Sequence, residues 1–553
     1  MLEENLLKIY EKSFRENSTL PALSDYFKNE TFTFMDLAKE IAKLHLLFKE
    51  CRIKQGDKIA LIGRNNPRWC ITYIATITYG AVIVPILQDF NANDIHHIIN
   101  HSESKLLFVG DLMWDEIDTV QIEDIKAAFS LTDFKCIYEK RGKKCIKFQS
   151  DINKEIKKVY KNGFRVSDIS YPEIDNSKTA LLNYTSGTTG FSKGVMLSIN
   201  NLTANVCFGI LNKVHYPGSR TLSFLPLAHA YGCAFDMLLP LATGSHITLL
   251  GKMPSPKILM EAMTKVQPTL ICCVPLILEK IYRKMIQPQL NKSLMKMVLK
   301  VPLLDTQIYN SIRKKLTDAF GGSVEQLIIG GAAINPEVEE FLMKIKFPIT
   351  VGYGMTECAP LISYSNWKEY KPASVGKIMD GFMEVRIDSE DGEKIAGEIQ
   401  VKGENVMQGY YKNQAITEEV IDPDGWMHTG DIGTVDPDGT IYIKGRCKTM
   451  LLGASGQNIY PEEIEAKLNN LHCVMESLIL EKDGKIIALA VPDYEQADTE
   501  EIPHSELDKV MQENLKVLNT LVAPYERVNS IQLYPNEFEK TPKRSIKRYL
   551  YTV

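Results

Sequence analysis

Short apolar runs of strand character alternate with stretches of helical periodicity, and this limits the chain to a few architectures. Thr33 and Asp36 stand three apart ahead of Leu37, Ile41, Leu44 and Phe48, the spacing of a capping box followed by a helix with one apolar face. Lys58–Ile62 (KIALI) and residues 104–109 (SKLLFV) read as strands. A helix near 260–266 precedes a strand at 269–273, and a helix near 312–320 precedes a strand at Gln326–Ile329. Such alternation predicts an α/β fold in which parallel sheets are covered by helices. After residue 380 the style changes: short alternating runs at 384–387, 398–401, 432–435 and 440–443 carry turn residues between them, Asp436, Pro437, Asp438 and Gly439 above all. That pattern predicts antiparallel strands, as in a small barrel.

The longest uncharged run, residues 71–87, invites a membrane reading. It falls short of the ~20 residues a span needs, and Gly80 and Pro85 interrupt it. A buried helix, a turn at Gly80 and a strand through 82–84 account for it. The start, MLEENLLKIY, carries early acids and no hydrophobic signal region. No targeting segment is read.

At 553 residues the chain exceeds one ordinary core, so at least two domains are expected. The charged, glycine-containing stretch 444–456 precedes a new helix at Tyr460 and Pro461, with proline at the first turn. The boundary is placed there, giving an N-terminal domain of 1–445 and a small α+β domain of 446–553. A net charge of −5, from 64 basic and 69 acidic side chains, argues against a general nucleic-acid or membrane-surface binder but not against a local basic patch. Eleven cysteines include no CxxC pair and one adjacent couple, Cys272 and Cys273. Reduced thiols in a cytoplasmic protein, mostly small buried hydrophobes, fit that spacing.

Chemistry concentrates in residues 184–195, YTSGTTGFSKGV. The segment follows the apolar run 180–182, so it reads as a loop leaving a strand towards a helix. Thr185, Ser186, Thr188 and Thr189 sit among Gly187, Gly190 and Gly194. Glycines let backbone N–H groups approach an anion, hydroxyls add donors, and Lys193 adds charge. The loop suits a polyphosphate, yet its spacing is not that of a Walker A loop. A second motif, residues 353–357 (YGMTE), puts an aromatic, a hydroxyl and a carboxylate in one short loop, suited to a base, a phosphate and Mg²⁺. Residues 330–333 (GGAA) form a tight strand-to-helix turn. In residues 426–431 (WMHTGD), Asp431 at a strand start suits ribose hydroxyls, or serves as an ordinary cap. Arg446 is a partner for it, or a surface ion-pair residue.

Together these motifs resemble the AMP-forming acyl-CoA synthetase superfamily, the adenylate-forming group, along nearly the whole chain and in family order. The resemblance implies a large N-terminal domain of stacked mixed and parallel sheets with a small β-barrel region, then a small mobile C-terminal domain. It implies that Thr185, Ser186, Gly187, Thr188, Thr189, Gly190 and Lys193 grip the phosphates of ATP. Tyr353 stacks on adenine beside Gly331 and Ala332, Thr356 bonds the α-phosphate, Glu357 holds Mg²⁺, and Asp431 with Arg446 binds ribose. Lys448 matches the hinge about which the small domain turns. His229, Tyr231 and Gly232, within residues 226–232 (PLAHAYG), match the acyl pocket, with His229 orienting the acyl end or gating thiol entry.

The tail departs from the family. Residues 539–548 read EKTPKRSIKR, and Ser545 stands where the family places a lysine that touches the α-phosphate and the acyl carboxylate. Arg544 precedes it, and Lys543 and Lys547, each within two residues, are the cations expected to replace it. By resemblance the substrates are ATP, coenzyme A and a carboxylic acid, most like that of long-chain fatty acid ligases, with peripheral membrane contact compatible and nucleic acid not. A carrier-protein acceptor, no acceptor, or a non-catalytic adenylate binder are the alternatives.

Overall fold

The computed structural model describes residues 1–185, 192–251, 255–290, 304–452, 457–482, 485–541 and 546–551. The chain divides into two compact units. The first comprises residues 1–334, 340–384 and 402–427; the second, 335–339, 385–401 and 428–553.

Two large sheets build the first unit. One has eight strands in the order Gly409–Tyr410, Lys193–Ser198, Thr179–Thr185, Val82–Ile86, Lys58–Ile62, Leu106–Val109, Ala127–Ser130, Cys136–Glu139. Its middle strands are parallel, and Val82–Ile86 and Leu106–Val109 are buried throughout. Parallel strands covered on both faces need such continuous apolar runs. The other sheet runs Ile349–Val351, Gln326–Ile329, Leu270–Cys273, Arg220–Ser223, His246–Leu249, Pro21–Asp25, Glu30–Thr33. Only its last pair is antiparallel.

Local chemistry explains where the helices begin and end. The Thr33–Asp36 capping box opens Phe34–Glu50, and Leu37, Ile41, Leu44 and Phe48 form its buried side. Asn66 caps Pro67–Tyr79, and that helix stops at Gly80, whose φ of 87° a Cβ would disfavour. The uncharged run 71–87 is therefore helix, turn and buried strand, as its glycine and proline required.

In the second unit, a sheet ordered Met383–Asp388, Gly397–Gly403, Met427–Val435, Ile441–Arg446 holds the strands expected after residue 380. Its last two strands are antiparallel and meet at the Asp436–Gly439 turn, closed by Asp436 N–H to the Thr440 carbonyl at 2.8 Å. Farther on, Val474–Lys482, Lys485–Pro492 and Ser530–Leu533 form a three-stranded sheet. Ile464, Leu468, Ile479, Ala488, Met511 and Leu518 make its core with the helices Pro461–Leu468 and Leu507–Leu521. Nine of the eleven cysteines are buried and all are free. Among the described residues no helix is long and apolar enough to cross a membrane.

Candidate functional site

The 184–195 segment corrects one sequence expectation. Thr179–Thr185 and Lys193–Ser198 are antiparallel neighbours, with Thr185 opposite Lys193 and Tyr184 opposite Gly194. The loop joins two strands of a hairpin; the helix Ile199–Leu211 begins only afterwards, capped by Ser198. The cause is the apolar run after Gly194: Val195 and Leu197 are fully buried, which a sheet position allows and a loop does not. Ser186, Gly187, Thr188, Thr189 and Gly190 lie outside the described residues, so the loop is known by its anchors, Thr185 and Lys193. Gly194 is needed at that base, because a Cβ there would lie 3.0 Å from the Tyr184 ring. The buried Tyr184 hydroxyl meets His101 Nδ1 at 2.7 Å.

Glu357 reaches the same hairpin through a residue the sequence reading missed. Residues 407–411 pair onto the second hairpin strand, Tyr410 opposite Val195, with Gln408 N–H to Met196 O at 2.9 Å and Tyr411 N–H to Gly194 O at 2.8 Å. Met407 N–H donates to the Glu357 carbonyl at 2.8 Å. The Tyr410 hydroxyl donates to Glu357 Oε1 at 2.8 Å, and Lys193 Nζ sits 5.3 Å from the Tyr410 ring centroid. Burial, then the Glu357 charge, pushes the Tyr410 hydroxyl well above the usual tyrosine range, so it remains a donor. A glycine followed by two tyrosines (409–411) was the only sequence signal for this strand.

Thr356 and Glu357 lie in a 3₁₀ turn held from outside. Asn205 Nδ2 donates to the Cys358 carbonyl at 3.2 Å and its Oδ1 accepts from Leu361 N–H at 3.0 Å. Buried Asn405 also donates to the Cys358 carbonyl, at 2.8 Å, and to that of Leu361. Tyr353 is buried on a short strand opposite Ser363, and a Cβ on Gly354 would sit 2.1 Å from the Pro360 carbonyl oxygen.

The 226–232 and 330–333 motifs meet in the same unit. Tyr231 donates to the Ile328 carbonyl at 3.0 Å, and Gly330 lies so close to the Tyr231 ring that a Cβ would be 3.1 Å away. Gly331 has φ +85°, and Gly331 and Ala332 are exposed just beyond the strand Gln326–Ile329. His229 stands at the N-cap position of the short helix Ala230–Cys233 without a side-chain capping bond, and Gly232 leaves room for the Pro226 carbonyl, 2.9 Å from where a Cβ would stand. Next along the chain, Asp236 is fully buried, with the Cys272 and Ser223 side chains as its polar neighbours. Burial raises its pKa to about 8, partly offset by Cys272 and Ser223. It is a second residue the sequence reading passed over.

In the second unit Asp431 occupies the middle of Met427–Val435, not a strand start. The strand begins earlier because Met427 and Thr429 also bury into the sheet. Arg446 stands directly opposite, its Nε 2.9 Å from Asp431 Oδ1; Asp431 is 7% exposed and Arg446 64%. Thr429 Oγ1 bonds both the Ile399 carbonyl and Asp431 N–H, while Glu398 receives His428 and Gly430 N–H. Lys448 is exposed in the turn after Ile441–Arg446. In the tail, Lys547 Nζ lies 3.4 Å from Glu539, and Lys540 and Ile546 form an isolated antiparallel bridge; Lys543 and Ser545 lie outside the described residues.

A family model described as AMP-binding enzyme matches residues 10–411, and the chain belongs to that family. It is 26% identical to human long-chain-fatty-acid–CoA ligase 1 over 98% of this chain and 84% of that one. With mouse long-chain-fatty-acid–CoA ligase 6 it shares 28% over 78% of this chain, and the match spans 65% of the length of that relative. The ATP-bound crystal structure of MatB from Rhodopseudomonas palustris shares the fold, with a TM-score of 0.77 at 20% identity over 99% of this chain and 98% of that one.

Proposed function

We propose that the protein activates a carboxylic acid with ATP, forming an acyl-adenylate and pyrophosphate, and passes the acyl group to the thiol of coenzyme A. The observation that carries this reading is the Lys193–Tyr410–Glu357 set at the base of the hairpin, where a cation and a carboxylate flank a phosphate-loop sequence. Free carboxylates acylate poorly because oxide is a poor leaving group. In the first step a carboxylate oxygen attacks the α-phosphorus and pyrophosphate leaves; in the second the thiolate attacks the acyl carbon and AMP leaves. Such transfers are catalysed mainly by positioning and by charge neutralisation on phosphate oxygens.

The roles follow the family pattern. Thr185 and Lys193, with the loop residues between them, hold the phosphates; Tyr353, Gly331 and Ala332 border adenine; Thr356 donates to the α-phosphate; Asp431 and Arg446 take ribose. Mg²⁺ fits Glu357: one oxygen accepts from Tyr410, and Mg²⁺ is commonly held by one or two carboxylates together with substrate phosphates. When bound, the ion neutralises phosphate charge. His229, Tyr231 and Gly232 line the acyl side. The small domain, from residue 446, turns about Lys448 between the two steps, and Lys543 or Lys547 supplies the cation absent at Ser545.

The acid is a medium- or long-chain fatty acid, supported by the long-chain ligases among the relatives. Carboxylate-dependent exchange of labelled pyrophosphate into ATP across fatty, aromatic and amino acids tests the reading, repeated with coenzyme A, with a carrier protein and with neither. AMP release that coenzyme A accelerates for fatty acids supports it. Ser545 favours a second reading, a non-catalytic adenylate binder, which any acid-dependent exchange removes; release of ADP would sink both.

A further inference from the structure

We infer that residues 135–166 form a docking surface for an anionic lipid bilayer. This segment holds eleven Lys and Arg against three Asp and Glu, a net +8 in a chain of −5, which leaves −13 on the remainder. All eleven cations are exposed. The three acids are engaged locally: Glu139 accepts the N–H groups of Lys144, Cys145 and Ile146, Asp151 pairs with Lys154, and Glu155 with Lys158. Among the described residues Arg141, Lys143, Lys147, Lys157, Lys161 and Arg165 make no ion pair.

Aliphatic tips stand among these charges. Ile137, Ile146, Val159 and Val166 are 39%, 40%, 56% and 39% exposed. Ile137 lies on Cys136–Glu139, the edge strand of the eight-stranded sheet. Ile146 and Val159 lie on the helices Lys144–Ser150 and Ile152–Val159, which Cys145 and Ile156 anchor against Phe34–Glu50. A groove of about 580 Å³ beside them is lined by Leu44, Ile146 and Ile152 and by two ion pairs, Lys43 with Glu40 and Lys135 with Asp133.

An ordinary solvated face interleaves both signs and does not need exposed branched aliphatics. A nucleic-acid surface would offer exposed rings for stacking, whereas Tyr138, Phe148, Tyr160 and Phe164 are all half-buried. Cations around aliphatic tips match the headgroup and acyl boundary of an anionic leaflet. The acidic remainder, repelled by the same leaflet, would orient the chain with this surface down.

Flotation of the full chain with phosphatidylcholine vesicles, with and without about 30 mol% phosphatidylglycerol, tests the inference without reading any activity, so it stands or falls apart from the proposed reaction. Binding is expected on the anionic vesicles alone and should fall at least about tenfold at high salt or in Lys143→Glu/Lys147→Glu/Lys157→Glu. Ile146→Asp/Val159→Asp should weaken binding while leaving its salt dependence in place. Equal binding of the wild-type chain to both vesicle types overturns the inference, whether or not the variants fold. So does wild-type binding by a variant with an unchanged melting temperature, or displacement from vesicles by a single-stranded oligonucleotide that binds more tightly.

Discussion

Glu357 and Lys547 carry charge in opposite settings. Around Glu357 the backbone turn is fixed by Asn205 and Asn405, the carbonyl by Met407, and the carboxylate by the buried Tyr410 hydroxyl. Lys547 pairs with Glu539, itself 67% exposed, at 3.4 Å, an ion pair of small energetic weight. Its neighbour Arg548 is the fixed residue of the tail, 2.5 Å from buried Glu465. The first arrangement is rigid before any ligand arrives, as electrostatic catalysis requires; the second leaves a long side chain free to take another anion. Rigidity thus goes with the role proposed for Glu357 and freedom with the role proposed for Lys547.

Breaking the rigid side should have the larger effect. Glu357→Gln is expected to lower acid-dependent pyrophosphate exchange by roughly 10²–10³-fold with little change in melting temperature; an unaltered rate would remove Glu357 from the chemistry. On the tail, Lys543→Ala/Lys547→Ala should slow acyl-adenylate formation by about tenfold or more, measured in a single turnover. If both alanines leave that rate unchanged, neither lysine replaces the one missing at Ser545. Asp431→Asn should raise KM for ATP by about tenfold, one lost charge-assisted bond of roughly 1.5 kcal/mol, with kcat nearly preserved.

Asn405→Ala sharpens the comparison from the structural side. Taking the Asn405 amide away removes one donor from the buried Cys358 and Leu361 carbonyls, of which only Cys358 keeps the Asn205 amide, and should cost about 1–3 kcal/mol, read by denaturant unfolding. The smallest effect concerns pH. Burial raises Glu465 to about 7 despite Arg548, above its ordinary 4.5, so the folded state holds this proton more tightly. Its stabilising contribution is complete below the unfolded pKa and is lost as pH rises through about 7. Unfolding of the second unit should therefore become easier between pH 5 and 8, and Glu465→Gln should flatten that slope.

Much of the fold was legible because local chemistry set it. The Thr33 box, the Gly80 stop and the apolar strands each carry their own signal, and each lies within a few residues of where it was read. The hairpin was misread because the strand Lys193–Ser198 runs straight into the helix at Ile199, so its apolar residues read as part of that helix. Tyr410 was missed because its partner, Glu357, is 53 positions away, and periodicity carries no information across that span. Asp236 was missed because an acid among apolar neighbours reads as a helix surface residue until burial is known.

By itself the sequence determined which groups are present and in what order: a glycine- and hydroxyl-rich loop ended by Lys193, an aromatic–hydroxyl–carboxylate triplet at 353–357, Asp431 and Arg446, and a serine where a lysine was expected. Only the tertiary structure decided which of them meet. It set Thr185 against Lys193, hung Glu357 from Tyr410, paired Asp431 with Arg446 across two strands, and gathered the cations of 135–166 around exposed aliphatic tips. Residue types follow from the chain alone, while contacts between distant residues depend on sheet register and burial, which the whole chain fixes together.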